Sequence, residues 1–500
     1  MVVKNPMRVG ETGNTIISIS KNRSHWPVLF HHPHEGLTML RDYIFHEFTN
    51  SLCKHCLRVV PAKIILKQDQ VFIMKTCPEH GTQLELLEED ASYHLSKRLY
   101  DKPGNTMKTQ TRIDKGCPYD CGICPQHDQH ACIGLIEVTT ACNLQCPLCY
   151  AKAGEGEFLS LNKIETMIDF FIDAENGNAE ILQISGGEPT LHPNILEIIA
   201  LAKAKGVKYV MLNTNGVRLA NDEDFVKALA PFCQEGGFEV YLQFDGFKES
   251  TYLTLRGQAL LPIKQKAIEN LTKHKIPTTL VMTVTDGVND DEVGAVFMFG
   301  LNAPTIRGIN YQPAAFFGRI DEKITASSTA LPKRVTLSGV LNRLETQTAH
   351  TLKQSDFIPL PCDVERVAIT YLYRNKKGEF TPITRDVKFK DHLQMINNTF
   401  VFTIEDALKS AGSSMKDIRT TCECFDFLTD FKAMVPLDFF LRSKEKKKEY
   451  IDGNTFRISV SSFIDAQNFD TKSIQKECVH IITPDLKKIP FSSFNMLYRR

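Results

Sequence analysis

From residue 135 to residue 310 short apolar runs alternate with segments of helical period, and this alternation constrains the fold more than any other feature of the chain. Strand patterns fall near 135–139, 181–185, 208–212, 239–244, 278–284 and 306–310, with helical patterns at about 161–175, 192–205, 221–231, 261–274 and 290–299 between them. A strand, a crossover helix and a second strand close right-handed with the strands parallel. Six such strands predict an α/β core whose ligands sit at the strands' carboxyl ends.

The motifs fall at those ends. After the first strand comes TTACNLQCPLCYAKAG, in which Cys142, Cys146 and Cys149 offer three thiolates and Tyr150 follows at once. A [4Fe–4S] cubane held by three cysteines keeps one iron open. If that iron chelates the amino and carboxylate groups of S-adenosylmethionine, an electron from the cluster cleaves the sulfonium and yields a 5′-deoxyadenosyl radical. Asn143 and Pro147 suit a restrained, non-helical loop. A structural zinc knuckle is the alternative, although zinc usually takes four ligands from paired short spacings.

The second strand runs into Gly186-Gly187-Glu188-Pro189, where glycines admit a close backbone approach and a glutamate accepts from an ammonium group. The third ends at Asn213-Thr214-Asn215 and the fourth at Asp245, and these are cofactor-contact candidates. At a strand end they are equally suited to a turn or a helix cap. With CxxxCxxC, an aromatic after the last cysteine and GGEP at the second strand, the chain resembles the radical S-adenosylmethionine (radical SAM) superfamily. The resemblance implies a partial (β/α)6 barrel and cofactor contacts at Tyr150, Gly186, Gly187, Glu188, Pro189, Asn213, Asn215 and Asp245.

The other cysteines form further groups. Cys53 and Cys56 make a CxxC, and Cys77 and His80 follow in CPEHG, a separation expected of a mononuclear zinc or iron knuckle. The alternative is a trio of reduced core cysteines. In GCPYDCGICPQHDQHAC, Cys117, Cys121 and Cys124 repeat the CxxxCxxC spacing, but no strand precedes them and no aromatic follows Cys124. They are expected to hold an auxiliary [4Fe–4S] cluster with Cys132 as fourth ligand and His127 and His130 as rivals, serving as an inert support or an electron relay. Cys362, Cys422, Cys424 and Cys478 either assemble another cluster or behave as buried free cysteines, and Cys233 is expected in the core.

Lysine plus arginine equals aspartate plus glutamate at 59 each, so charge makes no case for a nucleic-acid partner. No apolar run reaches the length of a membrane span and no signal-peptide pattern opens the chain, so a cytoplasmic protein is expected. Fifteen cysteines in a large α/β chain read as metal ligands in a reducing compartment. The expected domains are 1–112 with the knuckle, 113–133 with the auxiliary segment, the 134–320 barrel, and a 321–500 carboxyl-terminal α+β domain entered through a polar hinge at 321–335.

Together, CPEHG, GCPYDCGICPQHDQHAC, LIEVTTACNLQCPLCYA, CVHIITPD and IPFSSFN resemble the radical SAM group that contains archaeal tetraether lipid synthase, a group also associated with C-methylation of a dihydropterin. The lipid branch implies auxiliary [4Fe–4S] clusters and a mononuclear iron, with an electron donor such as flavodoxin or ferredoxin. Coupling of lipid alkyl chains is the leading expectation and radical methylation of a dihydropterin the alternative. A non-catalytic iron–sulfur or metal-binding protein is the rival of another class. This chain departs from the archaeal pattern after Cys362, where it has DVERV, and at Pro490-Phe491-Ser492, where a cysteine is usual. Phe425, Phe427, Phe439 and Phe440 suit a core or a tunnel lining. Lys444–Lys448 suit a solvated helix face or a peripheral contact with an anionic membrane, and His31, His32 and His34 suit a surface loop.

Overall fold

The computed structural model describes residues 41–104, 108–151, 153–234, 236–320, 333–375, 377–387 and 441–499. The candidates at His31, His32, His34, Cys422, Cys424, Phe425, Phe427, Phe439 and Phe440, most of the 321–335 hinge, and the side chains of Lys444, Lys447 and Lys448 lie outside the described residues.

Four antiparallel strands open the described chain: β1 (Ile44–Leu52), β2 (Val59–Lys67), β3 (Gln70–Cys77) and β4 (Gly81–Glu88). Their alternating pattern buries Ala62, Ile64, Val71, Ile73 and Leu87 together on one face. The sheet is tied to the rest of the fold through polar groups. Lys75 donates to the carbonyls of Ala466 and Gln467 at 2.6 and 2.9 Å, and Ser51 donates to that of Phe469 at 2.6 Å.

The core strands are β5 (Ile133–Thr139), β7 (Ile181–Gly186), β8 (Tyr209–Thr214), β9 (Phe238–Gln243), β10 (Thr278–Val284) and β11 (Ile306–Pro313), all parallel; the two-residue β6 (Leu148–Cys149) lies in the cysteine loop. The helix Leu161–Ala174 shows how the crossovers form. Ser160 caps its amino end, and Ile164, Met167, Ile168 and Phe171 recur at helical spacing and are buried on the sheet. Each such side chain contributes roughly 1.5–3 kcal/mol through burial. Phe171 lies where a Cβ on Gly134 would stand, so the strand beneath it carries a glycine.

The remaining strands are β12 (Arg319–Ile320), β13 (Ile358–Pro359), β14 (Val367–Arg374), β15 (Phe380–Pro382), β16 (Thr455–Ser461), β17 (Val479–Ile482) and β18 (Lys488–Pro490). The residues expected to form a separate carboxyl-terminal domain extend the barrel sheet at both edges. At one edge β16 runs parallel to β11 and is followed by β14 and β13; at the other β17 runs parallel to β5 and is followed by β18. The two edges meet where Leu360, Val367 and Ile369 pack with Cys132 and Cys478. Among the described residues, no helix is long and apolar enough to cross a membrane.

The β11–β16 pair depends on Gly308, where a Cβ would stand 2.4 Å from the carbonyl oxygen of Arg457. We predict that Gly308→Ala destabilises the fold by about 1–3 kcal/mol, as overpacking does. Thermal denaturation should show a lower midpoint, and an unchanged midpoint would refute this strand pairing.

Candidate active site and metal centres

The end of β5, the cysteine loop and the end of β7 are built as one unit. A Cβ on Gly186 would lie 2.2 Å from the Thr139 carbonyl oxygen, and one on Gly187 would lie 2.1 Å from that of Ala141. In this close crossing Gly187 N–H donates to Thr139 O and Glu188 N–H to Ala141 O, each at 2.8 Å. The glycines therefore admit the backbone that leads into Cys142, where the sequence suggested approach to a ligand.

Glu188 then links β7 to β8. Its Oε1 accepts from Thr190 N–H at 3.0 Å, the Thr190 hydroxyl at 2.6 Å and the Thr214 hydroxyl at 2.8 Å, while Oε2 accepts from Asn215 N–H at 2.7 Å. Asn215 in turn donates to Asn143 Oδ1 within the cysteine loop at 2.7 Å. Thr139 and Asn215, far apart in sequence, are thus brought to one rim. Pro189 opens the short 3-10 turn behind that rim and is buried there.

The loop is also held from the far side of the barrel. β12 pairs antiparallel with β6, so that Arg319 lies opposite Cys149. Arg319 donates to the carbonyls of Cys146 at 2.9 Å and Ala153 at 2.8 Å, and a Cβ on Gly318 would lie 2.4 Å from Cys149 O. Sequence reasoning missed both residues, because nothing in a Gly-Arg dipeptide outside the barrel pattern marks it as a clamp.

Cys142, Cys146, Cys149, Tyr150, Gly186, Gly187, Glu188, Asn213 and Asn215 line one cavity of about 210 Å³. Tyr150 donates to or accepts from Ser185 Oγ at 2.9 Å, and Ser185 Oγ accepts from Asn213 at 3.0 Å. Asp245 is placed differently from its expected role as a cofactor contact. It is fully buried and does not line the cavity. Its two oxygens accept from Arg256 Nε at 2.7 Å and Nη2 at 2.9 Å, and it accepts from Thr283 N–H at 3.1 Å. Arg256 is the group that reaches the cavity, beside Cys146, and the sequence reading did not identify it.

Lys264 completes the buried charge set. It donates to Gln243 Oε1 at 2.6 Å and Asn215 O at 2.5 Å, and burial lowers it to about 7. Burial also pushes the Cys142 thiol up to about 12. Thiolates at such a site need a cation to persist, so metal loading releases protons. Three thiols around an open cavity, with backbone held back by glycine, fit an iron–sulfur cube with one uncovered corner.

The knuckle is compact by comparison. Ligand atoms of Cys53, Cys56, Cys77 and His80 all lie within 4.8 Å of one another, with His80 Nδ1 at 3.6 Å from Cys53 Sγ and 3.5 Å from Cys77 Sγ. Gln83 donates to Cys53 Sγ at 3.1 Å. Two thiolate-bearing turns facing each other across a small sheet suit a tetrahedral ion.

Cys117, Cys121 and Cys124 line a much smaller cavity, of about 10 Å³, with His127. Asp120 shapes this loop, its Oδ2 accepting from the backbone N–H groups of Asp114, Lys115 and Gly116, each at 2.7 Å. Tyr498 also donates to the carbonyls of Pro118 and Tyr119 there. Cys132 is absent from this set, contrary to the expected grouping. It immediately precedes β5, Cys478 immediately precedes β17, and the parallel register places them side by side with Cys362. His130 goes with Cys132, its Nε2 3.6 Å from that sulfur, whereas His127 stays with the Cys117 loop. Ser492 donates its hydroxyl to Glu477 at 2.5 Å. Cys233 sits on the helix Glu223–Gln234 and packs against the barrel core.

The Radical SAM superfamily profile matches residues 136–299, and a profile described as the HMPTM N-terminal zinc ribbon domain matches residues 45–89. The chain is a radical SAM enzyme, and its superfamily uses S-adenosylmethionine and a [4Fe–4S] cluster. The 7,8-dihydro-6-hydroxymethylpterin dimethyltransferase of Methanocaldococcus jannaschii is 34% identical over 500 aligned positions, covering 90% of this chain and 94% of that protein. The chain belongs to this dihydropterin methyltransferase family. A GTP 3′,8-cyclase of Chlorobaculum tepidum is 31% identical over 181 positions, covering 36% of this chain and 53% of the cyclase. Among solved structures, Streptococcus suis SuiB bound to S-adenosylmethionine has a TM-score of 0.35 at 15% identity, covering 44% of this chain and 48% of that one. A radical SAM methyltransferase from Sphaerobacter thermophilus has a TM-score of 0.32 at 12% identity, covering 63% and 76%.

The regrouping of Cys132 is open to direct test. Cys132→Ala should alter the same metal signal as Cys362→Ala and Cys478→Ala, and leave that of Cys121→Ala intact. Metal analysis and absorption spectra of the four variants check this, and a shared loss in Cys132→Ala and Cys121→Ala would contradict it.

Proposed function

We propose that this chain is a radical methyltransferase acting on a dihydropterin, with Cys142, Cys146 and Cys149 holding the catalytic cluster. The observation that carries the reading is the near full-length likeness to the Methanocaldococcus dimethyltransferase, which reverses the order of preference set from sequence, where lipid coupling stood first. When bound, the cluster and S-adenosylmethionine supply a carbon-centred radical able to remove hydrogen from an unactivated carbon.

In this reading the chain's own residues position and enclose. Tyr150, Gly186, Gly187, Glu188, Pro189, Asn213 and Asn215 form or support the cofactor rim, and Asp245 acts through Arg256 as a positioning residue. Cys117, Cys121 and Cys124 hold an auxiliary cluster, and Cys53, Cys56, Cys77 and His80 hold zinc. A small-molecule substrate and an external reductant such as a flavodoxin or ferredoxin complete the system.

The cavity wall supports a planar, neutral heterocycle over an alkyl chain. Gln183, Asn213, Gln243, Thr283 and Gln312 line the barrel interior, a set of uncharged polar groups that matches a heterocycle better than hydrocarbon. Phe317, Phe463 and Phe491 form the facing wall; the ring centroids of Phe463 and Phe491 are 4.6 Å apart. Phe463 and Phe491 come from the carboxyl-terminal segments, which close the barrel mouth in this way. The Gln183 side chain makes no hydrogen bond among the described residues, and its backbone sits in register between Leu135 and Met211. Its amide suits the fused lactam edge of a pterin.

The test is anaerobic turnover with dithionite, S-adenosylmethionine and 7,8-dihydro-6-hydroxymethylpterin. 5′-Deoxyadenosine should form, and its formation should depend on the pterin. Deoxyadenosine stimulated by ether lipid and indifferent to pterin would overturn the reading in favour of alkyl coupling. Gln183→Leu should weaken pterin binding roughly tenfold, about 1.4 kcal/mol, with affinity for S-adenosylmethionine unchanged.

A further inference from the structure

Three cysteines from segments far apart in the chain converge below the barrel. Cys132 lies at the amino end of β5, Cys478 at the amino end of β17, and Cys362 between β13 and β14. Each is 0% exposed, and their three sulfurs lie within 4.8 Å of one another. A hydrophobic core has no need of three thiols packed sulfur to sulfur.

These sulfurs are as closely grouped as the knuckle ligands, whereas the cysteines of the two CxxxCxxC loops form no such tight group among the described residues. A cube spreads its thiolates over separate corners, whereas a single tetrahedral ion draws them together. Nitrogen and oxygen donors stand alongside. His130 Nε2 is 3.6 Å from Cys132 Sγ and groups with that sulfur and Glu180, 3.9 Å from the same nitrogen, so the ring has to swing inward to reach an ion at the three sulfurs. Gln129 Nε2 lies 3.0 Å from His130 Nδ1. Turning that amide over presents its oxygen to an Nδ1–H, which leaves Nε2 free to bind a cation and orients the ring, as outer partners of metal-bound histidine do.

The location gives the site a purpose. The cysteines sit where the β14–β13 edge of the sheet meets the β5–β17 edge. Cys478 O accepts from Ile133 N–H at 3.2 Å and Cys132 O from Ile181 N–H at 3.3 Å, so any movement at this seam is passed to two barrel strands.

We propose that Cys132, Cys362 and Cys478, with His130 as fourth ligand, bind a single thiophilic divalent cation of the zinc class that clasps the two edges of the barrel sheet. The site is closed and structural, distinct from the knuckle and from both cluster loops. Three thiolates and a neutral imidazole are an established donor set for zinc, and binding between the edges stabilises the folded chain by linkage.

The experiment counts zinc and iron per chain in full-length protein purified anaerobically, as wild type and as Cys362→Ser and Cys53→Ser/Cys56→Ser. Wild type should carry a zinc beyond that of the knuckle, and the knuckle variant should retain it. Cys362→Ser should lose it with iron unchanged and should unfold at lower temperature. Titration of metal-depleted Cys53→Ser/Cys56→Ser protein with cobalt(II) should give thiolate charge-transfer bands, and it tests the site even if Cys362→Ser does not fold. A knuckle variant that holds no zinc and gives no such bands overturns the proposal, as does loss of iron in place of zinc on Cys362→Ser, which would assign a cluster.

Discussion

The close crossing of β7 over the segment that leaves β5 is the constraint on which the rest of the site depends. Because Gly186 and Gly187 carry no side chain, two backbones approach within hydrogen-bonding distance at Thr139 and Ala141. The cysteine loop starts at the next residue, so its position is set by the sheet itself and not by a flexible tether. Glu188 extends the same restraint to β8, with four donors on one buried carboxylate. Arg319 and Gly318 close it from the opposite side.

Around that rim, charges are paired before they face the cavity. Asp245 is paired with Arg256 at 2.7 Å and Glu137 with Arg499 at 2.6 Å. What remains exposed to the interior is chiefly amide, hydroxyl and aromatic surface. A weakly charged lining of this kind suits radical chemistry at a carbon.

Much of the core was legible in the sequence because its periods are strong. The six barrel strands and the helices Leu161–Ala174 and Leu261–Lys273 fall within about three residues of their expected bounds. The motif residues were found as well, but their roles were set by partners that periodicity does not reveal. Asp245 at a strand end looked like a ligand contact until Arg256, eleven residues on in a helix, took both its oxygens. Cys132 stands eight residues after Cys124 and was grouped by that spacing, yet strand register carries it to Cys478. The edge strands β14, β16 and β17 were not identified, since a strand joined to a barrel only at its margin carries no local sign of which sheet it enters.

The central claim is that the rim built by Cys142, Cys146, Cys149 and the GGEP strand end presents one open iron to the methionine end of S-adenosylmethionine. Electron–nuclear double resonance on the reduced protein, with the cofactor labelled at its amino nitrogen, measures this directly. The geometry predicts a resolved coupling between that nitrogen and the cluster, lost in Cys146→Ala. A reduced cluster that shows no coupling to the labelled nitrogen would contradict it.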